Sequence, residues 1–153
     1  MADLRPVKRL VVLGATGSIG CQTLDIVRSH SDRFEVAGLA GGQNLSLLAQ
    51  QVREFRPSMV SFEKEGAFDP GPGHPVTLCS MEEMVTDASV DLVVVGTVGK
   101  AGLSATLAAL RAGKAVALAN KEVLVMAGAI VQETARHYGG TLVPVDSEHS
   151  AIW

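Results

Sequence analysis

The chain has 153 residues, of which 47% are hydrophobic and 19% are charged, and its formal net charge is −3. This composition excludes a disordered or collagen-like protein, and the length fits one domain with a single core. A weakly acidic chain without a cluster of lysine and arginine is a poor candidate for binding nucleic acid or an anionic membrane surface. We therefore expect one globular domain with neither of these partners.

The two cysteines and the amino-terminal segment indicate where the protein works. Cys21 and Cys79 are far apart and lack metal-site spacing, which favours a reduced, cytoplasmic setting. The segment from Met1 to Arg9 is charged and lacks the apolar stretch of a signal peptide. No apolar run approaches the roughly 20 residues that a membrane-spanning helix needs.

Short apolar runs alternate along the chain with segments of helical periodicity. We predict strands at residues 9–13, 34–40, 58–62, 91–95, 115–119 and 141–145, with a short strand at Leu78. We predict helices at residues 18–28, 45–55, 103–111 and 121–138, and another after a capping box from Ser80 to Glu83. Because the strands lack polar alternation, both faces of the sheet should be covered by helices, which predicts an α/β, doubly wound, mostly parallel sheet.

A glycine-rich segment joins the first strand to the first helix. Gly14, Gly17 and Gly20 permit a tight turn, close approach of the backbone to a pyrophosphate, and close packing of helix on strand, respectively. The helix N-terminus attracts anions, and Thr16 and Ser18 add hydroxyl donors. The alternative is a turn that merely requires three glycines. The strand–turn–helix context favours a Rossmann-like dinucleotide site.

The residues after the second strand bear on which dinucleotide binds. An NAD site usually places an acidic residue there to accept a hydrogen bond from the ribose 2′-hydroxyl. Here Gly41, Gly42, Gln43 and Asn44 follow the strand, without a carboxylate. A 2′-phosphate would meet no repulsion, so we predict NADP. The alternative is a Gly-Gly turn with Asn44 as a helix cap, and Asn44 can serve both purposes.

Polar residues also follow two later strands. Asn120, Lys121 and Glu122 follow the fifth long strand; they fit a helix cap and a first-turn acid, but Lys121 is unfavourable at a helix N-terminus and indicates a site. Asp146 and Glu148 flank Ser147 after the last strand and would face the same way in an extended segment. Two carboxylates suit Mg²⁺ or Mn²⁺, and the alternative is a second capped helix start.

Three motifs in order resemble the 1-deoxy-D-xylulose 5-phosphate reductoisomerase family. They are residues 14–20 followed by 23–25, residues 119–122, and residues 144–152. The resemblance implies that Thr16, Gly17, Ser18 and Ile19 hold the NADPH pyrophosphate and that Gly42, Gln43 and Asn44 meet the 2′-phosphate side. It further implies that Asn120 and Glu122 contact NADPH, that Lys121 and Ser147 contact a sugar-phosphate substrate, and that Asp146 and Glu148 ligate Mg²⁺ or Mn²⁺.

The resemblance also implies what the whole protein would be. Residues 1–153 would form the NADPH-binding domain of a longer, homodimeric enzyme, ending at the start of its catalytic domain. Two departures stand out, because Gln43 replaces a common lysine and Lys100 replaces a small residue. The alternatives are an NADP-binding sensor module and other Rossmann oxidoreductases. A short-chain dehydrogenase is disfavoured because Leu142 stands where its lysine would follow Tyr138.

Overall fold

The computed structural model describes residues 6–63 and 68–145, and within them strands and helices alternate along the chain. The strands are β1 (Lys8–Leu13), β2 (Phe34–Gly41), β3 (Met59–Phe62), β4 (Thr77–Leu78), β5 (Leu92–Val95), β6 (Ala115–Leu118) and β7 (Thr141–Pro144). The helices are α1 (Ser18–Ser29), α2 (Leu45–Phe55), α3 (Met81–Thr86), α4 (Leu103–Arg111) and α5 (Lys121–Tyr138). These bounds lie within one residue of most of the predicted ones.

The strands form one sheet in the order β4-β3-β2-β1-β5-β6-β7. Every pair of neighbouring strands described is parallel, which confirms the predicted doubly wound α/β fold. Chain order reverses between β1 and β5, where the chain has run outward through β2, β3 and β4 before returning to the centre. Crevices for ligands open at such a reversal, beside the carboxyl ends of the strands.

The central strand β1 is buried on both of its faces. Val11 and Leu13 belong to a core shared with α3, α4 and α5, whereas Leu10 and Val12 belong to a second core with α1 and α2. None of the four side chains is more than 3% exposed. This two-sided burial is the reason why the run is continuously apolar, and it holds the carboxyl end of β1 rigidly beneath the glycine turn.

Helix boundaries follow the predicted capping residues. Asn44, Ser80 and Asn120 each accept a hydrogen bond from a backbone N–H of the helix that follows, and Ser80 with Glu83 completes the predicted capping box. Two features are additional to the prediction: a 3₁₀-helix at Gly99–Gly102 and a non-helical residue, Ala127, inside α5. Among the helices described, none has the length and apolar character needed to cross a bilayer.

Candidate functional site

A cleft of about 230 Å³ lies at the carboxyl ends of β1, β2, β3 and β5. Its walls come from the glycine turn after β1, the end of β2 and the loop after β5. The lining from these three segments consists of Gly14, Gly17, Ala40, Gly41, Gly42, Gly96, Thr97, Val98 and Ala101. Small residues predominate, so a bound molecule would contact backbone groups over much of its surface.

Gly14 is the point at which the first and third of these segments touch. Its φ is +82°, and a Cβ atom there would lie 2.7 Å from the carbonyl carbon and oxygen of Gly96. The backbone N–H groups of Gly14 and Ala15 both donate to the Ala40 carbonyl at the end of β2. The turn is thereby fixed to both neighbouring strands, as the predicted role of Gly14 requires. Gly20 has its predicted role too, since a Cβ atom there would collide with the Gly14 carbonyl.

The N-terminus of α1 has the properties of an anion site. Gly17 is the N-cap in extended conformation, and no side chain among the described residues caps it. The first turn of α1 carries no acidic residue. The N–H groups of Ser18 and Ile19 therefore remain available to a ligand, since the first N–H groups of a helix have no partner within it. Together with the helix dipole, they favour a phosphate at this position.

The end of β2 supplies neutral donors. Asn44 Oδ1 accepts the Leu47 N–H at 3.1 Å, which caps α2 and leaves the amide nitrogen of the side chain as a donor. Gln43 and Asn44 are exposed, Gly42 lines the cleft, and the first turn of α2 has no acid. Both purposes predicted for Asn44 are therefore compatible with its geometry, and the predicted phosphate contact itself stays a prediction.

Glu63 is an acidic residue that lines the cleft and that was not predicted from the sequence. Glu63 follows β3, and because Gly41 pairs with Phe62 in the sheet, Glu63 stands level with Gly42. The prediction of NADP rests only on the residues that follow β2. A signal was present, since the strand order of a doubly wound sheet sets the end of β3 beside the end of β2.

Asn120 connects α5 to the loop after β5. Its side chain is 1% exposed; Nδ2 donates to the Gly99 carbonyl at 2.7 Å, and Oδ1 accepts the Val123 N–H at 3.1 Å. Nδ2 also lies 3.5 Å from Thr97 Oγ1. The structure therefore assigns Asn120 the role of holding the 97–102 loop against the cleft, while a direct contact with a cofactor stays a prediction.

Lys121 and Glu122 are exposed in the first turn of α5, so both side chains are accessible to a ligand. The predicted metal and substrate residues Asp146, Ser147 and Glu148 lie outside the described residues. Within residues 6–63 and 68–145, no three His, Cys, Asp or Glu side chains are grouped as a metal site would require.

Comparison with known proteins gives the family. The sequence model of a family described as 1-deoxy-D-xylulose 5-phosphate reductoisomerase matches residues 10–128. The chain is 48% identical to the 1-deoxy-D-xylulose 5-phosphate reductoisomerase of Prosthecochloris aestuarii, over 96% of this chain and 41% of that protein. It therefore spans about two fifths of the length of this relative.

Solved structures give the same result in three dimensions. A crystal structure of DOX-P reductoisomerase in complex with NADPH, fosmidomycin and magnesium has a TM-score of 0.88 and 41% identity, covering 95% of this chain and 38% of that one. The Zymomonas mobilis enzyme in complex with NADPH has a TM-score of 0.85 and 37% identity, covering 94% of this chain and 40% of that one. The chain belongs to the 1-deoxy-D-xylulose 5-phosphate reductoisomerase family.

Proposed function

We propose that these residues are the NADPH-binding domain of an enzyme that converts 1-deoxy-D-xylulose 5-phosphate to 2-C-methyl-D-erythritol 4-phosphate, in the methylerythritol phosphate pathway of isoprenoid synthesis. Membership of the family supports the reaction. The crystal structures of relatives with NADPH, and with magnesium, support the two cofactors. Because the chain spans about two fifths of its relatives, we expect it to bind NADPH without turnover on its own.

The observation that carries the proposal is the N-terminus of α1, which has no acidic residue in its first turn and no side-chain cap from the described residues, at the cleft formed by Gly14, Gly42 and Gly96. Its free N–H groups fit a pyrophosphate. The end of β2 fits a 2′-phosphate because it offers amide donors and carries no carboxylate itself, and the neighbouring Glu63 carboxylate opposes part of this attraction. In the proposal, the first group is held by Thr16, Gly17, Ser18 and Ile19, and the second by Gly42, Gln43 and Asn44. NADPH, when bound, supplies the hydride that reduces the rearranged substrate.

The substrate side of the proposal rests on the resemblance. Lys121 and Ser147 would contact the sugar-phosphate substrate, and Glu122 would contact the cofactor. Asp146 and Glu148 would ligate the divalent cation. A homodimer is proposed on the same basis. The cytoplasm is proposed as the location because both cysteines are free thiols.

Calorimetric titration of the chain with NADPH and with NADH tests the binding proposal directly. Ser18→Asp adds a carboxylate to the first turn of α1, where it favours the helix but repels a pyrophosphate. Ser29→Asp is the matched control, because Ser29 ends the same helix about 16 Å away by helical rise. We expect Ser18→Asp to lower the affinity for NADPH at least tenfold and Ser29→Asp to change this affinity less than twofold.

The titrations distinguish whether the chain binds NADPH and whether the ligand lies at the N-terminus of α1. If the unaltered chain does not bind NADPH, the proposed function is wrong. If it binds but Ser18→Asp binds equally well, the ligand does not lie at the end of α1. In the longer protein, Asp146→Asn should abolish NADPH oxidation with 1-deoxy-D-xylulose 5-phosphate while it spares NADPH binding. NADPH binding without any turnover in that protein would favour a sensor module.

A further inference from the structure

Gln51 is a buried polar side chain on the face of α2 that packs against the sheet. It is 6% exposed, between the fully buried Leu48 and Val52. Its Nε2 donates to the carbonyl of Ala15 at 2.8 Å, across 36 residues of sequence. The same nitrogen lies 3.8 Å from the Cys21 sulfur, which itself lies 3.7 Å from the Ala15 carbonyl. Gln51 therefore reaches from α2 into the glycine turn.

We propose that Gln51 is a positioning residue for cofactor binding, which orients the Thr16 N–H toward the pyrophosphate. The reason is the planarity of the peptide bond. The Ala15 carbonyl and the Thr16 N–H belong to one trans peptide unit, so they point in opposite directions. Because Gln51 draws the carbonyl inward, toward α2, the N–H is turned outward. This inference rests on the proposed function, since it concerns the same pyrophosphate.

The other end of the Gln51 amide supports a directed role. Among the described residues, Oε1 is buried without a hydrogen-bond partner. A buried, unpaired carbonyl costs desolvation free energy that an apolar side chain of similar length would avoid. Packing alone would therefore favour methionine or leucine at this position, and the distinct contribution of glutamine is the bond to the turn. Asn44 caps the same helix, so α2 links the supports of the pyrophosphate and of the 2′-phosphate.

Two substitutions test the proposal, with NADP⁺ and adenosine 2′-phosphate as calorimetric probes. Gln51→Met keeps the length of the side chain but cannot donate to Ala15. It should lower the affinity for NADP⁺ about tenfold. The affinity for adenosine 2′-phosphate, which lacks the pyrophosphate, should stay within twofold of that of the unaltered protein. Gln50→Met is the matched control, because Gln50 is an exposed neighbour on the same helix. It should change neither affinity.

Gln51→Glu distinguishes a role in hydrogen bonding from a role in packing alone. A buried glutamate can donate to the Ala15 carbonyl only when it is protonated, so its NADP⁺ affinity relative to the unaltered protein should recover as pH falls. Weakening of both probes together, unchanged NADP⁺ affinity in Gln51→Met, or absence of this pH-dependent recovery would overturn the inference. Failure of the unaltered chain to bind NADP⁺ would instead overturn the proposed function, and the inference with it.

Discussion

The turn at Gly14 gives the sharpest quantitative prediction for stability. Gly14→Ala would place a side chain on a backbone with φ of +82° and set its Cβ atom 2.7 Å from the Gly96 carbonyl group. A left-handed backbone costs an alanine about 1–2 kcal/mol. Overpacking against rigid neighbours costs about 1–3 kcal/mol more. The free energy of unfolding should therefore fall by about 2–5 kcal/mol. The contact cannot relax easily, because β1, β2 and β5 hold the Gly14 turn and the Gly96 segment in place.

Thermal denaturation measures this loss, since each 1 kcal/mol corresponds to about 2–4 °C in a domain of this size. We expect the Tm of Gly14→Ala to fall by at least about 4 °C. Gly42→Ala is the matched control: it lines the same cleft, but a Cβ atom there meets no described heavy atom within 4 Å. Its Tm should stay within about 1 °C of the unaltered protein. Equal Tm values for the two variants would refute the reasoning from the contact with Gly96.

Three further substitutions examine the loops and caps around the cleft. Asn120→Ala removes a helix cap and the hydrogen-bond partner of the Gly99 carbonyl, so the free energy of unfolding should fall by about 2–3 kcal/mol and the affinity for NADPH should fall too. An unchanged affinity would contradict the role assigned to the 97–102 loop. Glu63→Gln should raise NADPH affinity about twofold to tenfold and NADH affinity less, because it removes a carboxylate that stands level with Gly42, where the 2′-phosphate is proposed to bind. An equal gain for both would place Glu63 away from the 2′-phosphate. The Ser80 backbone N–H, followed by the Ser80 hydroxyl, lowers the pKa of Glu83, so this stabilisation is present at neutral pH and is lost as pH falls through the lowered value. Glu83→Gln, which cannot ionise, should show less loss of Tm between about pH 5 and about pH 3, and an unaltered pH profile would disprove it.

The sequence was sufficient for the sheet and for the glycine turn. Strands with both faces buried are continuous apolar runs, and β1 and β5 are recognisable for that reason. Gly14 and Gly20 have the predicted roles because both depend on local geometry that a short motif specifies. Capping residues such as Asn44 were predictable on the same grounds, since a cap acts on the three residues that follow it.

The features that the sequence did not disclose depend on contacts between distant segments. The 3₁₀-helix at Gly99–Gly102 consists of three small residues and Lys100, without periodicity, and it is held by Asn120 from across 21 residues. Gln51 occupies a core-facing position of α2 but is polar, which is a recognisable signal of a buried hydrogen bond. Its partner, the Ala15 carbonyl, could be identified only from the packed structure. Glu63 became part of the cleft through the strand order.

The preference for NADPH over NADH should be modest, because no described lysine or arginine lines the cleft. The N-terminus of α2, which has no first-turn acid, provides the positive potential at the proposed 2′-phosphate position instead. A helix terminus stabilises an anion by about 0.3–1 kcal/mol at an exposed position, and a hydrogen bond to a charged group adds about 1.5–3 kcal/mol. The Glu63 carboxylate opposes part of this gain. We therefore expect calorimetry to give a preference of about tenfold to a hundredfold; a ratio above about a thousandfold would require a cation that the cleft described here does not provide.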